Sequence, residues 1–470
     1  MKRILLPLLC LILGGCSVGP DFKKPVPSLP AHWQDNLPDG ITAGTAMNDR
    51  WWQQFNDPQL TALITRAARH NLDIRQASLR LGQSIMQRQI SGAQQYPGVG
   101  LDAGYQHGRN SQTGLIDASG SEGHKSYELW SSALDASWEI DLWGHVRRIV
   151  EAADAGVDIT RAQRDGALLS ITAETASDYI KLRGVQARIA VAKQNLDIAL
   201  QSQRLTENRF QNGVTTNLDT SNSAALVATI SATLPVLEAE QERLINALSF
   251  LVDEGPGALR NELAQSKPIP QVHDDIHLGL PSELARRRPD IQASEAALHQ
   301  ATAEIGVAKA DFYPRFSLSG SFGTQTLAGS EAGNWGSRQW SFGPSLYLPI
   351  FQGGRLTGTL ELRKRQQQEA ALNYHRVVLN AWHEVDNAIT DYSAEKAHHK
   401  LINAAVEQNE IALNTARSRY QQGALDYLNV LSVQNLLLAT QLELVNSATK
   451  VALDRVRLYR TLGGGWEPNT

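Results

Sequence analysis

Two hydrophobic periods take turns along this 470-residue chain. After Pro97, the residues Val99, Leu101, Ala103 and Tyr105 alternate with Gly100, Asp102, Gly104 and Gln106. Further on, Trp130, Leu134, Ala136, Trp138, Ile140 and Leu142 share one face, against Ser131, Ala133, Asp135, Ser137, Glu139 and Asp141. The second half repeats the motif. Phe316, Leu318 and Phe322 alternate with Ser317, Ser319 and Ser321, and Trp340, Phe342, Leu346, Leu348 and Ile350 oppose Ser341, Gly343, Ser345 and Tyr347. A period of two predicts four strands, each with one apolar and one polar face, as in membrane strands between lipid and water. A half-buried soluble sheet alternates in the same way. Trp130, Trp138, Trp143 and Trp340 near the strand ends favour the membrane, whose interfaces collect aromatic side chains. Segments 108–126 and 323–338 are rich in Gly and Ser and read as the longer, external connections.

The other period is helical. Nothing strongly breaks a helix over 145–210 or over 355–420, so each run would extend on the order of 100 Å at about 1.5 Å per residue. Pro235 predicts an interruption or kink near Thr233 in the following helix. Helices this long suit coiled coils or helical tubes better than a compact core. Their Ala, Ser, Thr, Gln and Leu content lets helices approach closely while Gln and Ser face water.

The two periods recur in one order because the chain is duplicated. Residues 71–97 align without a gap on 288–314, which sets Asp73 against Asp290, Leu81 against Leu298 and Pro97 against Pro314. WEIDLWG matches YLPIFQGG, with Gly144 against Gly353, and RFQNG ending at Gly213 matches RYQQG ending at Gly423. Each half reads helix, two strands, long helix, turn, helix. The expected division is a signal peptide over 1–15, a tether over 16–57 and a first repeat over 58–252 with its hairpin at 98–143. A linker over 253–281 follows, then a second repeat over 282–461 with its hairpin at 315–351, and a tail over 462–470.

The fold class is therefore mostly α with membrane β, in two structural repeats. Four strands cannot close a barrel, and open edges are not tolerated in hydrocarbon. Two copies would give eight strands, a barrel nearly filled by its own side chains; three copies give twelve and leave a passage. A homotrimer is the physical preference.

Composition removes other classes. A net charge of −4 with 20% charged residues leaves no footprint for nucleic acid. Lys2 and Arg3 before an apolar run read as a signal peptide, and LGGC at 13–16 resembles a bacterial lipobox, with cleavage before Cys16 and lipid on its thiol. By the same resemblance, Ser17 after the lipidated cysteine suits sorting to the outer membrane. With Cys10 in the leader, the mature chain keeps Cys16 alone, so neither a disulfide nor a multi-thiolate zinc site is expected. No later stretch approaches ~20 uninterrupted apolar residues, so no membrane-spanning helix is expected. The stretches KLRGVQAR and RKRQQQ read as exposed basic helix faces, and His398-His399 as a solvated pair rather than a metal site. Gly463 to Gly465 lack the Lys-Ser/Thr of a phosphate loop. No catalytic constellation is present, so neither an enzyme nor a cofactor is expected beyond the lipid on Cys16.

The segments LGGC at 13–16, DPQL at 57–60, EIDLWG at 139–144, RRPDIQASEAAL at 287–298, FYPRFSLSGSFG at 312–323, LPIFQGGR at 348–355 and LGGGW at 462–466 resemble the TolC / outer membrane factor family, in its OprM-like lipoprotein branch. The resemblance spans essentially the whole chain. It implies a lipid-anchored homotrimer in the outer membrane, with a twelve-stranded β-barrel continued by a long α-helical barrel in the periplasm. It also implies docking onto a periplasmic adaptor (membrane fusion protein) and an inner-membrane transporter, with passive export of drugs or other small molecules. Outlets for secreted polypeptides share the fold, and a non-conducting structural lipoprotein is the alternative from another class.

The same resemblance puts function at the two helical turns. Each ends a long helix with a glycine placed as a left-handed C-cap. Arg209, Gly213, Arg419 and Gly423 then belong to the adaptor-docking tip. Leu428 sits where an apolar gate ring is found, while Asp219 and Tyr420 match positions that tie neighbouring helices shut. Asn429 and Ser432 replace acidic ring positions and Leu425 replaces an arginine of the latch. Asp426 and Tyr427 are the candidates to substitute, at a different spacing. These departures favour a hydrophobic constriction at Leu428 over an ion-sensitive gate.

Overall fold

The computed structural model describes residues 17–26, 33, 37–38, 40–43, 50–113, 125–271 and 275–465. Cys16, the leader and the end of the tail lie outside them. Seven helices and four strands carry the fold: α1 (Pro58–His70), α2 (Leu72–Ala93), β1 (Gly98–Gly108), β2 (Tyr127–Ile140), α3 (His145–Gln211), α4 (Asn217–Leu251), α5 (Pro289–Ala310), β3 (Arg315–Thr326), β4 (Arg338–Tyr347), α6 (Arg355–Gln421) and α7 (Tyr427–Thr461). The start of α1 is written in DPQL. The Asp57 carboxylate accepts from the backbone N–H of Gln59 at 2.8 Å and of Leu60 at 3.1 Å, with Pro58 in the first turn.

The duplication is a duplication of lengths. Helices α2 and α5 have 22 residues each, α3 and α6 have 67, and α4 and α7 have 35. Leu72 and Pro289 lie 217 positions apart, whereas His145 and Arg355 lie 210 apart, so the second hairpin is seven residues shorter. The helix starts correct the alignment of the junction. Gly144 (φ 81°) and Gly354 (φ 85°) each immediately precede a long helix, so Gly144 answers to Gly354 and not to Gly353. The interruption expected at Pro235 is absent. Helix α4 runs unbroken through it, although proline's missing N–H leaves the Ser231 carbonyl without its helical donor.

One compact unit comprises residues 1–25, 81–160 and 294–374 and holds the strands. They form one antiparallel sheet in the order β1-β2-β3-β4, which leaves β1 and β4 as free edges within the chain. Register sorts the two faces. Leu101, Leu134, Phe322 and Trp340 line up across one face, as do Val99, Ala136, Gly320 and Phe342. The opposite face carries the row Gly100, Asp135, Ser321, Ser341 and the row Glu139, Ser317, Ser345. The apolar face is bare, with Leu101 74% and Phe342 72% exposed. Pairing stops at Ile140 and Tyr347, short of Leu142, Leu348 and Ile350. Trp143 turns away instead, its indole N–H donating to the Pro314 carbonyl at 2.9 Å. Residues 17–26 pack on α3 and α5: Asp21 accepts from Arg148 at 2.6 Å, and Phe22 stacks on His299 with centroids 4.4 Å apart.

The other unit comprises residues 26–80, 161–293 and 375–470. Trp51 is fully buried, stacks on Tyr459 at 5.3 Å and donates to the Gly464 carbonyl at 3.2 Å. Arg183 contradicts the exposed face expected of KLRGVQAR. It is fully buried and donates to the Gln265 carbonyl at 2.8 Å, to Gln59 Oε1 at 2.7 Å and to the Tyr179 hydroxyl at 3.1 Å. Helices α4 and α7 are long and apolar enough in composition to cross a membrane, which qualifies the expectation that no helix is. The apolar stretch of each is nevertheless broken by polar side chains, Asn222, Ser223 and Thr229 in α4 and Asn429, Gln434 and Asn435 in α7. An uninterrupted apolar span is therefore missing from each.

Candidate gate at the paired helical turns

Each long helix ends in the same hydrogen-bonded turn. The Gly213 N–H donates to the Phe210 carbonyl at 2.9 Å, and the Val214 N–H reaches back to the Arg209 carbonyl at 2.8 Å. In the second repeat, Gly423 donates to Tyr420 at 3.0 Å and Ala424 to Arg419 at 2.9 Å. This is the Schellman pattern, and its left-handed residue is glycine in both turns, with φ 73° at Gly213 and 74° at Gly423.

Arg209 joins the two turns. Its guanidinium lies 4.7 Å from the centre of the Tyr420 ring and donates to the Tyr420 carbonyl at 3.0 Å. Tyr420 is 5% exposed, and its ring sits 5.6 Å from that of Tyr427, tilted by 55°. Burial, ahead of the nearby Tyr420 and the Asp219 carboxylate, pushes the Tyr427 hydroxyl up to about 12. Burial also raises Tyr420, with Arg209 opposing and Asp219 adding to the rise. Both phenols are held neutral. Asp219 is the third residue of α4 and accepts a short hydrogen bond from the Thr215 hydroxyl, so its carboxylate braces its own turn. Gln201 of α3 accepts from Arg417 of α6 at 3.3 Å just above, beside a cavity of about 200 Å³ lined by Leu205, Tyr420, Tyr427 and Val430.

The structure thus gathers Arg209, Asp219 and Tyr420, and leaves the other candidates outward. Asp426 holds the N-cap position of α7, exposed, with no capping hydrogen bond from its side chain among the described residues. Leu428 is 51% exposed, and Arg419 is exposed. Leu218 was missed by the sequence reading. It matches Leu428 at the 210-position spacing and is 59% exposed, so the repeat itself was the signal that could have found it. The sequence singles out Tyr427 only as a substitute for a missing gate residue; its burial against Tyr420 is a contact between helices that the sequence alone does not encode.

A family model described as outer membrane efflux protein matches residues 63–252 and 280–464. Nodulation protein T of Rhizobium leguminosarum bv. trifolii is 30% identical, over 99% of this chain and 98% of its own length. Outer membrane protein OprJ of Pseudomonas aeruginosa is 31% identical, over 98% and 95%. The solved structure of the outer-membrane channel OprN superposes with a TM-score of 0.90 at 32% identity, covering 96% of this chain and all of that one. The two matched blocks coincide with the duplicated halves, and the likeness holds over nearly the whole length. The chain belongs to the outer membrane efflux protein family.

Proposed function

We propose that three copies of this chain assemble into the outer-membrane duct of an efflux system, a passive conduit for drugs or other small molecules. The observation that carries this reading is the four-stranded sheet with one bare apolar face and both edges free. In hydrocarbon each unpaired backbone group costs several kcal/mol, so β4 of one copy must pair with β1 of the next until twelve strands close. The serine-rich face with Asp102, Asp135 and Glu139 then lines the passage, and the apolar face meets outer-membrane lipid. The helices supply a periplasmic tunnel. Its turns, with Arg209, Gly213, Arg419 and Gly423, receive a periplasmic adaptor that links to an inner-membrane transporter. Asp219 and Tyr420 brace the closed turn, Leu428 narrows it with the exposed Asp426 beside it, and Cys16 carries the lipid anchor.

The test is direct. Outer-membrane fractions should contain a heat-sensitive trimer that conducts ions in planar bilayers. A monomer that does not conduct would refute the conduit.

A further inference from the structure

The seam between α6 and α7 near the turns is apolar. Leu413, Ala416 and Tyr420 on α6 share a cluster with Tyr427, Val430 and Leu437 on α7. Gln434 lies within that stretch of α7, one turn from Val430 and from Leu437. At about 100° per residue it falls between this cluster and the next one, where Leu431 and Leu438 pack on Ile230 and Leu226 of α4. Gln434 is 1% exposed, and neither its amide nitrogen nor its amide oxygen has a hydrogen-bond partner among the described residues. Thr206 is matched with Ser223 at 2.9 Å and Asn409 with Thr440 at 3.1 Å, whereas the buried Tyr420 and Tyr427 hydroxyls of the same seam share with Gln434 the lack of a partner among the described residues. Among the described residues the first repeat has no buried amide unpaired at both ends, since Asn195 of α3 lacks a partner only at its oxygen. The equivalent of Gln434 at the 210-position spacing is Ala224, which is exposed.

A buried primary amide with both ends unpaired penalises the conformation that buries it. Because the burial is complete within one chain, a neighbouring copy cannot reach in to supply the missing bonds. The penalty is relieved when α6 and α7 part locally and water reaches the amide. We propose that Gln434 is a positioning residue that biases the turn-proximal part of the α6–α7 pair, and not the α3–α4 pair, toward local opening. The link to gating rests on the conduit reading above; the local bias itself does not.

Hydrogen–deuterium exchange on the full chain in detergent tests it. Wild-type amides in 406–437 exchange faster than their counterparts in 196–227. Gln434→Leu, and Gln434→Met as a second apolar variant of similar length, slow exchange across 413–437 on the order of tenfold and leave 196–227 unchanged. Exchange that is unchanged, faster, or slowed uniformly along the chain overturns the proposal, as does failure of both variants to fold. Single-channel recordings on the same preparations separate the two ideas. Slowed exchange with wild-type opening removes the link to gating. A wild type that shows the exchange pattern but never conducts upholds the bias and sinks the conduit.

Discussion

Replacing Arg209 by alanine removes the one side chain seen to join the two turns through both a ring and a carbonyl. Two contributions are lost: a cation–π contact at 4.7 Å and a charged hydrogen bond of 3.0 Å. At a partly exposed site the first contributes about 0.5–1 kcal/mol, and the second about 1.5 kcal/mol at the low end of its range. Together they come to roughly 2 kcal/mol per chain, about a thirtyfold shift in the equilibrium for separating the α3 and α6 ends. Arg209→Lys keeps the charge but not the planar fork, and should recover less than half of it. The coupling belongs to a pair, so the decisive assay is a double-mutant cycle with Tyr420→Leu, read as the open fraction in single-channel recordings. The cycle should return a coupling of about 0.5–1 kcal/mol, since the carbonyl bond survives in Tyr420→Leu. Additive effects, or an open fraction that Arg209→Ala leaves unaltered, would refute the view that this contact holds the turns together.

Three further outcomes are expected. Leu428→Ser should raise single-channel conductance above wild type, and an unchanged conductance would remove Leu428 from the constriction. Asp253 ends α4 in a left-handed conformation (φ 62°), where the second repeat has Gly463 (φ 79°). Asp253→Gly should therefore raise the thermal midpoint by the equivalent of about 0.5 kcal/mol, reduced by loss of the exposed 3.6 Å contact with Arg75. Burial works to raise the Glu395 carboxyl, but hydrogen bonds from Lys450, Ser447 and His398 win and hold it at about 2, below its ordinary 4.5. A lowered folded-state pKa stabilises above the unfolded value, so stability falls as pH drops from 4.5 toward 2. Glu395→Gln should flatten that stretch of a plot of unfolding midpoint against pH, and an identical slope in the variant would contradict it.

Much of this architecture could be read in the sequence because the signals were long. Four runs of period two gave four strands, and two breaker-free runs gave α3 and α6 to within a residue at their ends. The misreadings were local. Alternation continues past Ile140 to Leu142, but the Trp143 indole finds the Pro314 carbonyl, a contact 171 positions away that no local pattern encodes. Two adjacent glycines at 353–354 left a one-residue ambiguity that the helix start resolved. Arg183 read as a surface charge because its partners, Gln59 and Gln265, come from distant segments. Gln434 was invisible for the same reason, since a glutamine in a helix reads as solvated until the neighbouring helices are in place. At the turns, glycine spacing located both caps, whereas the joining of Arg209 to Tyr420 is again a long-range fact.

The equal helix lengths of the two halves constrain how this protein can change. One residue inserted into α3 would advance everything beyond it by about 1.5 Å and rotate it by about 100°, turning buried seams outward unless α6 received the same insertion. Length variation can be absorbed instead where the halves already differ, in the connection between β1 and β2, where seven residues have been gained or lost without shifting the register of a single helix. Peptide tags for following the protein in cells therefore belong in that connection, and the long helices should reject them.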